Sequence, residues 1–185
     1  MTPESPVPRA PIRPYPSHYI EGVELRDGTR VTLRPICPED EPAMVRFHRN
    51  LSEFSVHFRY FHHIALSERV SHQRLAQICF VDYNLNMVLV AETEAGEIAG
   101  VGRLSRAVAS EAEAEFALIV ADAWQNHGIG AALLRKLIAI GPQVGMRRIF
   151  GSVLADNQPM LDICAPLGFE FGFPEDGVIE ASLLL

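Results

Sequence analysis

The chain has 185 residues, of which 48% are hydrophobic and 21% are charged, and its formal net charge is −7. This size and composition are typical of one globular domain with a sizeable core. The negative charge argues against nucleic acid as the main partner, because phosphate binding needs a basic face. No apolar run approaches the roughly 20 residues that span a bilayer, so a membrane protein is not expected.

The cysteines and the N-terminus bear on the compartment. Cys37, Cys79 and Cys164 form no Cys-x-x-Cys pair, and three cysteines cannot all be paired. The N-terminus lacks the basic-then-apolar layout of a signal peptide. Together these features predict reduced thiols in a cytoplasmic protein. Histidines 57, 62, 63 and 72 have no metal-binding spacing, so we expect no metal and an aromatic-lined segment packed over a sheet.

The first residues differ in composition from the remainder. Residues 1–19 are rich in proline and contain little that could pack, which predicts an extended or disordered arm. A single folded domain is then expected over 20–185. It begins with a hairpin over 22–35, because Asp27-Gly28 lies between two β-rich runs.

The rest of the chain predicts a mixed sheet with helices on its faces, an α/β (α+β) class. Helices are predicted over 38–51 and 67–79 from their caps and apolar spacing. Strands are predicted over 86–92, 97–106 and 111–121. There follow an apolar helix ending near Gly145, a strand over 147–155, a short helix over 157–169, and strands over 170–173 and 178–184.

The segment WQNHGIGAALL, which begins at Trp124, joins a predicted strand to a predicted helix. A helix N-terminus presents unpaired N–H groups and a positive dipole end, which favour phosphate, and glycines allow close approach of the backbone. No Gly-Lys-Ser/Thr is present, and Leu133 stands where a dinucleotide fingerprint needs glycine. From these residues alone, phosphate binding and tight packing are equal alternatives.

The pattern Gln125-x-x-Gly128-x-Gly130-Ala131 resembles the signature of the GNAT family of N-acetyltransferases. Other segments agree in order: LRP…EDE, VLVAETEAGEIAGVGRL, AEFALIV before the loop, and DNQPMLDICAPLGF. The resemblance implies the GNAT fold, with a mixed central sheet of about six or seven strands and a splayed acetyl-CoA cleft. It is nearest to the acetyltransferase domain of bacterial protein lysine acetyltransferases associated with NDP-forming acyl-CoA synthetases or cyclic-nucleotide modules. We expect that a chain of 185 residues has room for neither of these partner domains.

The resemblance also implies the residues that bind the donor. The main chain of Leu118, Ile119 and Val120 would bind pantetheine and polarise the thioester carbonyl. Asn157 would contact pantetheine, and as an alternative or in addition it would cap the following helix. The pyrophosphate of acetyl-CoA would lie on the loop, formed by Gln125, Asn126, His127, Gly128, Ile129, Gly130 and Ala131.

Glu115 is the candidate general base. Alternation along a strand places Glu111, Glu113 and Glu115 on one face, with Glu115 nearest the apolar interior. Partial loss of water there would make its carboxylate a stronger base. The related protein acetyltransferases have a glutamate at the matching position, ten residues before the glutamine of the loop. Where many family members carry a tyrosine acid, this chain has Cys164, which is interpreted as a buried structural residue.

The sequence thus predicts an acetyl-CoA-dependent N-acetyltransferase that acts by direct transfer to a primary amine, with a protein lysine as the favoured acceptor. Two alternatives remain open. One is acetylation of a small-molecule amine, and the other is a catalytically silent acyl-CoA-binding sensor module. Neither membrane nor nucleic acid is expected as a partner, and a homodimer is left open.

Overall fold

The computed structural model describes residues 14–107, 110 and 112–185. Within these residues, eight strands form one mixed sheet in the order β1-β2-β3-β4-β5-β6-β8-β7. All neighbours pair antiparallel except β5 and β6, which are parallel. The strands are β1 (Glu21–Glu24), β2 (Arg30–Pro35), β3 (Asn86–Thr93), β4 (Ile98–Arg106), β5 (Glu113–Val120), β6 (Arg148–Leu154), β7 (Glu170–Phe171) and β8 (Val178–Leu184).

Helices cover both faces of this sheet, and a separate hydrophobic cluster fills each face. The first four helices lie on one face, and the last two pack on the other. They are α1 (Glu41–Arg49), α2 (Glu53–Tyr60), α3 (Leu66–Arg69), α4 (His72–Cys79), α5 (Ile129–Ile140) and α6 (Gln158–Cys164). The α+β class with a mixed sheet is therefore confirmed.

The helices differ from the sequence-based prediction more than the strands do. The described sheet has eight strands, close to the six or seven that the resemblance implies, with the short β1 and the two-residue β7 at its edges. Helix α2 lies in the aromatic-lined segment, for which no helix was predicted. The helix predicted over 67–79 is two helices, α3 and α4, which part at Val70 and Ser71. The Ser71 side chain accepts a hydrogen bond from the Arg74 N–H, so it begins a new helix.

The N-terminal arm lies mostly outside the described residues, which start at residue 14. Its last part, Ser17–Tyr19, forms a single 3-10 turn, and Tyr19 is buried in the core. The Tyr15 hydroxyl donates to the Pro35 carbonyl oxygen at 2.8 Å. The sequence predicted that the domain begins at residue 20. In the structure the chain already packs against the sheet at Tyr15 and Tyr19.

Helix α1 buries a histidine. His48 is 1% exposed, and neither ring nitrogen has a hydrogen-bond partner among the described residues. Burial lowers the pKa of His48 to about 4, and the positive charges of Arg74 and Arg69 act in the same direction. The imidazole is therefore neutral in the folded protein at neutral pH.

This histidine predicts a pH dependence of stability. Below the ordinary histidine pKa of about 6.5 the unfolded chain takes up a proton that folded His48 does not, so stability falls with pH down to about pH 4. Between about pH 7.5 and 5.5 the loss is about 1 kcal/mol. Urea unfolding of the wild type and of His48→Leu at both pH values checks this, and the variant should lose about 1 kcal/mol less. An equal loss in both proteins would contradict the assignment.

Candidate active site

Strands β5 and β6 part from each other in the middle of the sheet. They pair over only three positions, from Glu113 and Arg148 to Glu115 and Phe150. Beyond this point β6 pairs only with β8, and β5 pairs only with β4, among the described strands. A gap therefore opens beside residues 116–120 of β5, on the side away from β4.

The unpaired main chain of β5 faces this gap. Ala107 donates to the Glu113 carbonyl, and Ala121 donates to the Ala99 carbonyl, so the odd-numbered residues of β5 bond to β4. Because hydrogen bonds alternate along an antiparallel pair, Leu118 and Val120 direct their N–H and C=O groups into the gap. Ile119, also predicted to bind through its main chain, bonds to β4 instead.

The loop after β5 has two residues with positive φ, Asn126 at 66° and Gly128 at 94°. Gly128 is the N-cap of α5, and it makes no side-chain cap. The first N–H groups of this 12-residue helix are therefore not capped by a side chain. Such a helix start favours an anion.

Gly130 has a different physical role from Gly128. A Cβ at Gly130 would lie 2.9 Å from Ile163 Cδ1, so the absence of a side chain lets α6 pack against the start of α5. At Gly128 nothing lies within 4 Å, and the requirement is the left-handed backbone. Tight packing, one of the two alternatives for this motif, thus applies to Gly130. The exposed helix start, the other alternative, applies to Gly128.

Gln125 and Asp122 tie this loop to the start of α2. Asp122 accepts hydrogen bonds from the Ser52 N–H at 2.9 Å, the Ser52 hydroxyl at 2.5 Å and the Ser55 hydroxyl at 3.0 Å. Burial acts to raise the pKa of Asp122, but these hydrogen bonds outweigh it and the pKa is lowered. Gln125 Nε2 donates to Ser55 Oγ at 2.9 Å and to the Val120 carbonyl at 3.1 Å. The Gln125 amide nitrogen therefore fixes the loop against α2 and β5.

The first hairpin supports the loop from another direction. His127 Nδ1 lies 2.5 Å from Asp27 Oδ2, in the turn between β1 and β2. Hydrogen bonds from the Thr29 N–H and from His127 lower the pKa of Asp27 to about 2. Lys136 Nζ on α5 pairs with Glu21 on β1 at 2.5 Å. The hairpin thus contacts both the loop and its helix.

Glu115 lies where β5 and β6 part. It is the last residue of β5 that pairs with β6, and its side chain is exposed. The expectation that it is shielded from water is therefore wrong, because its side chain lies on the strand face that holds a cavity, lined by Ala117 and Ile119. Glu113 is half-buried and pairs with Arg148 at 3.6 Å. Glu111 lies outside the described residues.

Asn157 and Cys164 both lie at helix ends beyond β6. Asn157 Oδ1 accepts the Met160 N–H at 3.3 Å, so its predicted helix-capping role is confirmed. Cys164 is fully buried, and burial raises the pKa of its thiol to about 12. Its interpretation as a structural residue is confirmed.

A cavity of about 310 Å³ lies beside Glu115, between α1, α2 and α4 and the middle strands. Ala117 and Ile119, on the same face of β5 as Glu115, form part of its wall. Three arginines (Arg59, Arg74 and Arg103) and His48 also line it. The sequence reading missed these four side chains. Tyr60, from the aromatic-lined segment that was expected to pack over the sheet, lines the cavity as well.

Two further features concern the part of the chain that the structure describes. No group of three histidine, cysteine, aspartate or glutamate side chains in it is arranged as a metal site would need. None of its helices has the length and apolarity that a membrane crossing requires.

This arrangement, a parted parallel strand pair beside an uncapped helix start, defines a GNAT-type acyltransferase site. The Acetyltransferase (GNAT) domain family matches residues 30–170, and the chain belongs to this family of N-acetyltransferases. It is 35% identical over 155 residues to Acetyltransferase PA5475 of Pseudomonas aeruginosa, covering 82% of this chain and 80% of that protein. It is 30% identical to Acetyltransferase Pat of Mycolicibacterium smegmatis over 85% of this chain, which spans only 46% of Pat.

Solved structures agree on the fold. The GNAT domain of S. lividans PAT superposes with a TM-score of 0.85 at 31% identity, covering 93% of this chain and all of that one. The predicted GNAT fold is therefore confirmed. The acetyltransferase yncA of Salmonella typhimurium, solved with its cofactor acetyl-CoA, shares the fold with a TM-score of 0.62 at 19% identity, covering 84% of this chain and 94% of that one.

The left-handed backbone at Gly128 predicts a specific sensitivity. A Cβ at φ 94° is strained, so we expect Gly128→Ala to lower the free energy of unfolding by about 1 kcal/mol and to weaken CoA binding. Gly128→Asn should lose less, because asparagine tolerates this region. Urea unfolding and calorimetric titration with CoA measure both effects. Gly22→Ala is the matched control, since Gly22 has open space and no positive φ. Equal losses in the Gly22 and Gly128 alanine variants would contradict the prediction.

Proposed function

We propose that this acetyltransferase uses acetyl-CoA and transfers the acetyl group directly to a primary amine in a ternary complex. A protein lysine is the favoured acceptor. The observation that supports this most is the parting of β5 from β6 at Glu115. It leaves the main chain of Leu118 and the Val120 N–H without a strand partner between the loop and the carboxylate.

The residues present suit acetyl-CoA as the donor, which supplies the acetyl group as a thioester. The uncapped start of α5 offers N–H groups to the pyrophosphate, from Gly128 to Ala131. Asn126 and His127 flank it. The N–H groups of Leu118 and Val120 can bind the pantetheine arm and polarise the thioester carbonyl. The Asn157 side chain, with only its oxygen used in capping, has its amide nitrogen left to donate.

Glu115 is proposed as the general base. A neutral amine is needed for attack on a thioester, and Glu115 lies at the gap with no hydrogen bond or ion pair to another described residue. Its carboxylate can therefore accept the amine proton directly or through one water. Cys164 takes no part, because it is fully buried.

The acceptor class rests on two observations. The resemblance of the sequence to bacterial protein lysine acetyltransferases supports a protein lysine, and the chain is also similar to the GNAT domain of S. lividans PAT. The second candidate is a small-molecule amine. It is favoured by the cavity beside Glu115, whose volume of about 310 Å³ lies at the lower end for small-molecule pockets.

The role of Glu115 gives a direct test. Glu115→Gln retains shape but removes the base, so we expect turnover to fall by about 10²-fold or more while acetyl-CoA affinity is unchanged. Thiol release in the presence of an acceptor measures turnover, and calorimetry measures donor affinity. Glu113→Gln, on the same strand face but paired with Arg148, is the matched control. Near-normal turnover of the Glu115 variant would refute the assignment.

A panel of acceptors separates this enzyme from a silent acyl-CoA-binding sensor. Lysine peptides and small amines are added in turn to the protein and acetyl-CoA, and thiol release above the acceptor-free rate is recorded. An enzyme gives acceptor-dependent release with at least one class. Tight acetyl-CoA binding without release for any acceptor would support the sensor.

A further inference from the structure

The cavity beside Glu115 carries an excess of positive charge. Arg59, Arg74 and Arg103 all line it, and the carboxylate in its wall is that of Asp82. Asp82 already accepts hydrogen bonds from the Asn84 N–H at 2.9 Å and from Asn84 Nδ2 at 2.8 Å. Three guanidinium groups thus line one cavity, and the one carboxylate among its lining residues, that of Asp82, already accepts two hydrogen bonds from Asn84.

These guanidinium groups have only weak or distant carboxylate partners among the described residues, of which Glu115 is the one that acts on Arg59. Arg74 Nη1 lies 4.0 Å from Glu68, a side chain that is 65% exposed, and Arg74 Nε is buried without a hydrogen-bond partner. Arg59 and Arg103 have no carboxylate within 4.0 Å among the described residues. Arg59 and Arg74 are half-buried and Arg103 is exposed to the cavity opening, so an anion that enters the cavity can pair with these groups.

Tyr60 holds two of the arginines together. The guanidinium carbons of Arg59 and Arg74 lie 4.8 Å and 5.1 Å from the centroid of the Tyr60 ring. Burial lowers the pKa of Arg59, and the charges of Arg103 and Arg74 act in the same direction, while Tyr60 and the carboxylate of Glu115 act against it. Two like charges on one ring repel each other at close range, and a bound anion relieves that repulsion.

The inner wall of the cavity supplies a further polar group. His48 lines it and is 1% exposed, yet neither of its ring nitrogens has a partner among the described residues. A neutral imidazole carries one N–H donor, which an oxygen ligand could accept. A buried polar group left unpaired is costly, and this one lies in the wall of the cavity.

The cavity lies within reach of the reacting centre. Ala117, in its wall, is two residues from Glu115 on the same strand face, which corresponds to roughly 7 Å. Arg103 is paired in register with Ala117 across β4 and β5. A molecule with its amine at Glu115 could therefore place a group about four to six bonds away against the arginines.

We propose that Arg59, Arg74 and Arg103 form a subsite for a carboxylate on the acceptor, so that the preferred substrate is an amine that carries a carboxylate a few bonds from the nitrogen. This inference rests on the proposed acetyl transfer. The carboxylate belongs either to a small amino acid-like molecule or to an acidic side chain beside a target lysine. Charge-assisted, bidentate pairing with guanidinium is the chemistry that selects it.

The test compares two probes with the same five-carbon chain. 5-Aminopentanoate has the amine and a carboxylate, and pentylamine has the amine alone. Calorimetric titration of the full chain, with CoA present, should show about tenfold tighter binding of 5-aminopentanoate. Equal affinity for the two probes in the wild type would overturn the subsite.

Two variants locate the effect. Arg103→Gln changes an exposed side chain and leaves the fold intact, and Arg59→Met changes a more enclosed one. Each should lower the affinity for 5-aminopentanoate about tenfold and leave that for pentylamine unchanged. Arg147→Gln, an exposed arginine outside the cavity, is the charge-matched control and should change neither. Equal effects of the Arg103 and Arg147 variants would also overturn the proposal.

Peptides separate the two sources of the carboxylate. A lysine peptide with glutamate next to the lysine is compared with the same peptide containing glutamine. A preference for the glutamate peptide assigns the carboxylate to a protein acceptor, and a preference confined to 5-aminopentanoate assigns it to a small molecule; either result supports the subsite.

The two proposals fail in different ways. If both five-carbon amines are acetylated at equal rates and bind equally, the subsite is refuted while acetyl transfer stands. If 5-aminopentanoate binds through the arginines and no acceptor releases thiol from acetyl-CoA, acetyl transfer is refuted while the binding subsite stands.

Discussion

The site depends on the hydrogen bonds that β5 does not make within the sheet. Buried main-chain groups need partners, and a strand in the middle of a sheet normally finds them on both sides. Here β6 leaves after Glu115, so Leu118 and Val120 have partners only where other groups supply them. Gln125 reaches back to the Val120 carbonyl, and the remaining groups are available to a ligand.

The two sides of β5 have separate functions because side chains alternate along a strand. Ala114, Phe116 and Leu118 belong to the hydrophobic cluster that includes α5, which supports the loop proposed to bind the donor. Residues 115, 117 and 119 face the opposite side, which holds the cavity under α1, α2 and α4. The donor loop and the acceptor cavity are therefore positioned by one strand.

The charged and polar groups that line the cavity destabilise the folded protein electrostatically. Like charges around Tyr60 repel, and His48 stays neutral without a partner because its burial makes protonation unfavourable. Such arrangements usually mark functional sites rather than stabilising ones. The hydrogen bonds from Ser52 and Ser55 to Asp122 attach α2 to the loop after β5. They hold α2, and with it Arg59 and Tyr60, in place despite the repulsion between the arginines.

The sequence by itself determined the class, the order of the strands, the GNAT signature and the capping role of Asn157, because local spacing and turn residues carry that information. Only the tertiary structure decided that Glu115 is exposed, that Gly128 and Gly130 have different roles, and that Arg59 and Arg103 face the same cavity. These two arginines are 44 residues apart in sequence and come together only when α2 packs on β4 and β5. No local pattern encodes such a contact, since it depends on where the sheet opens and which helix covers it.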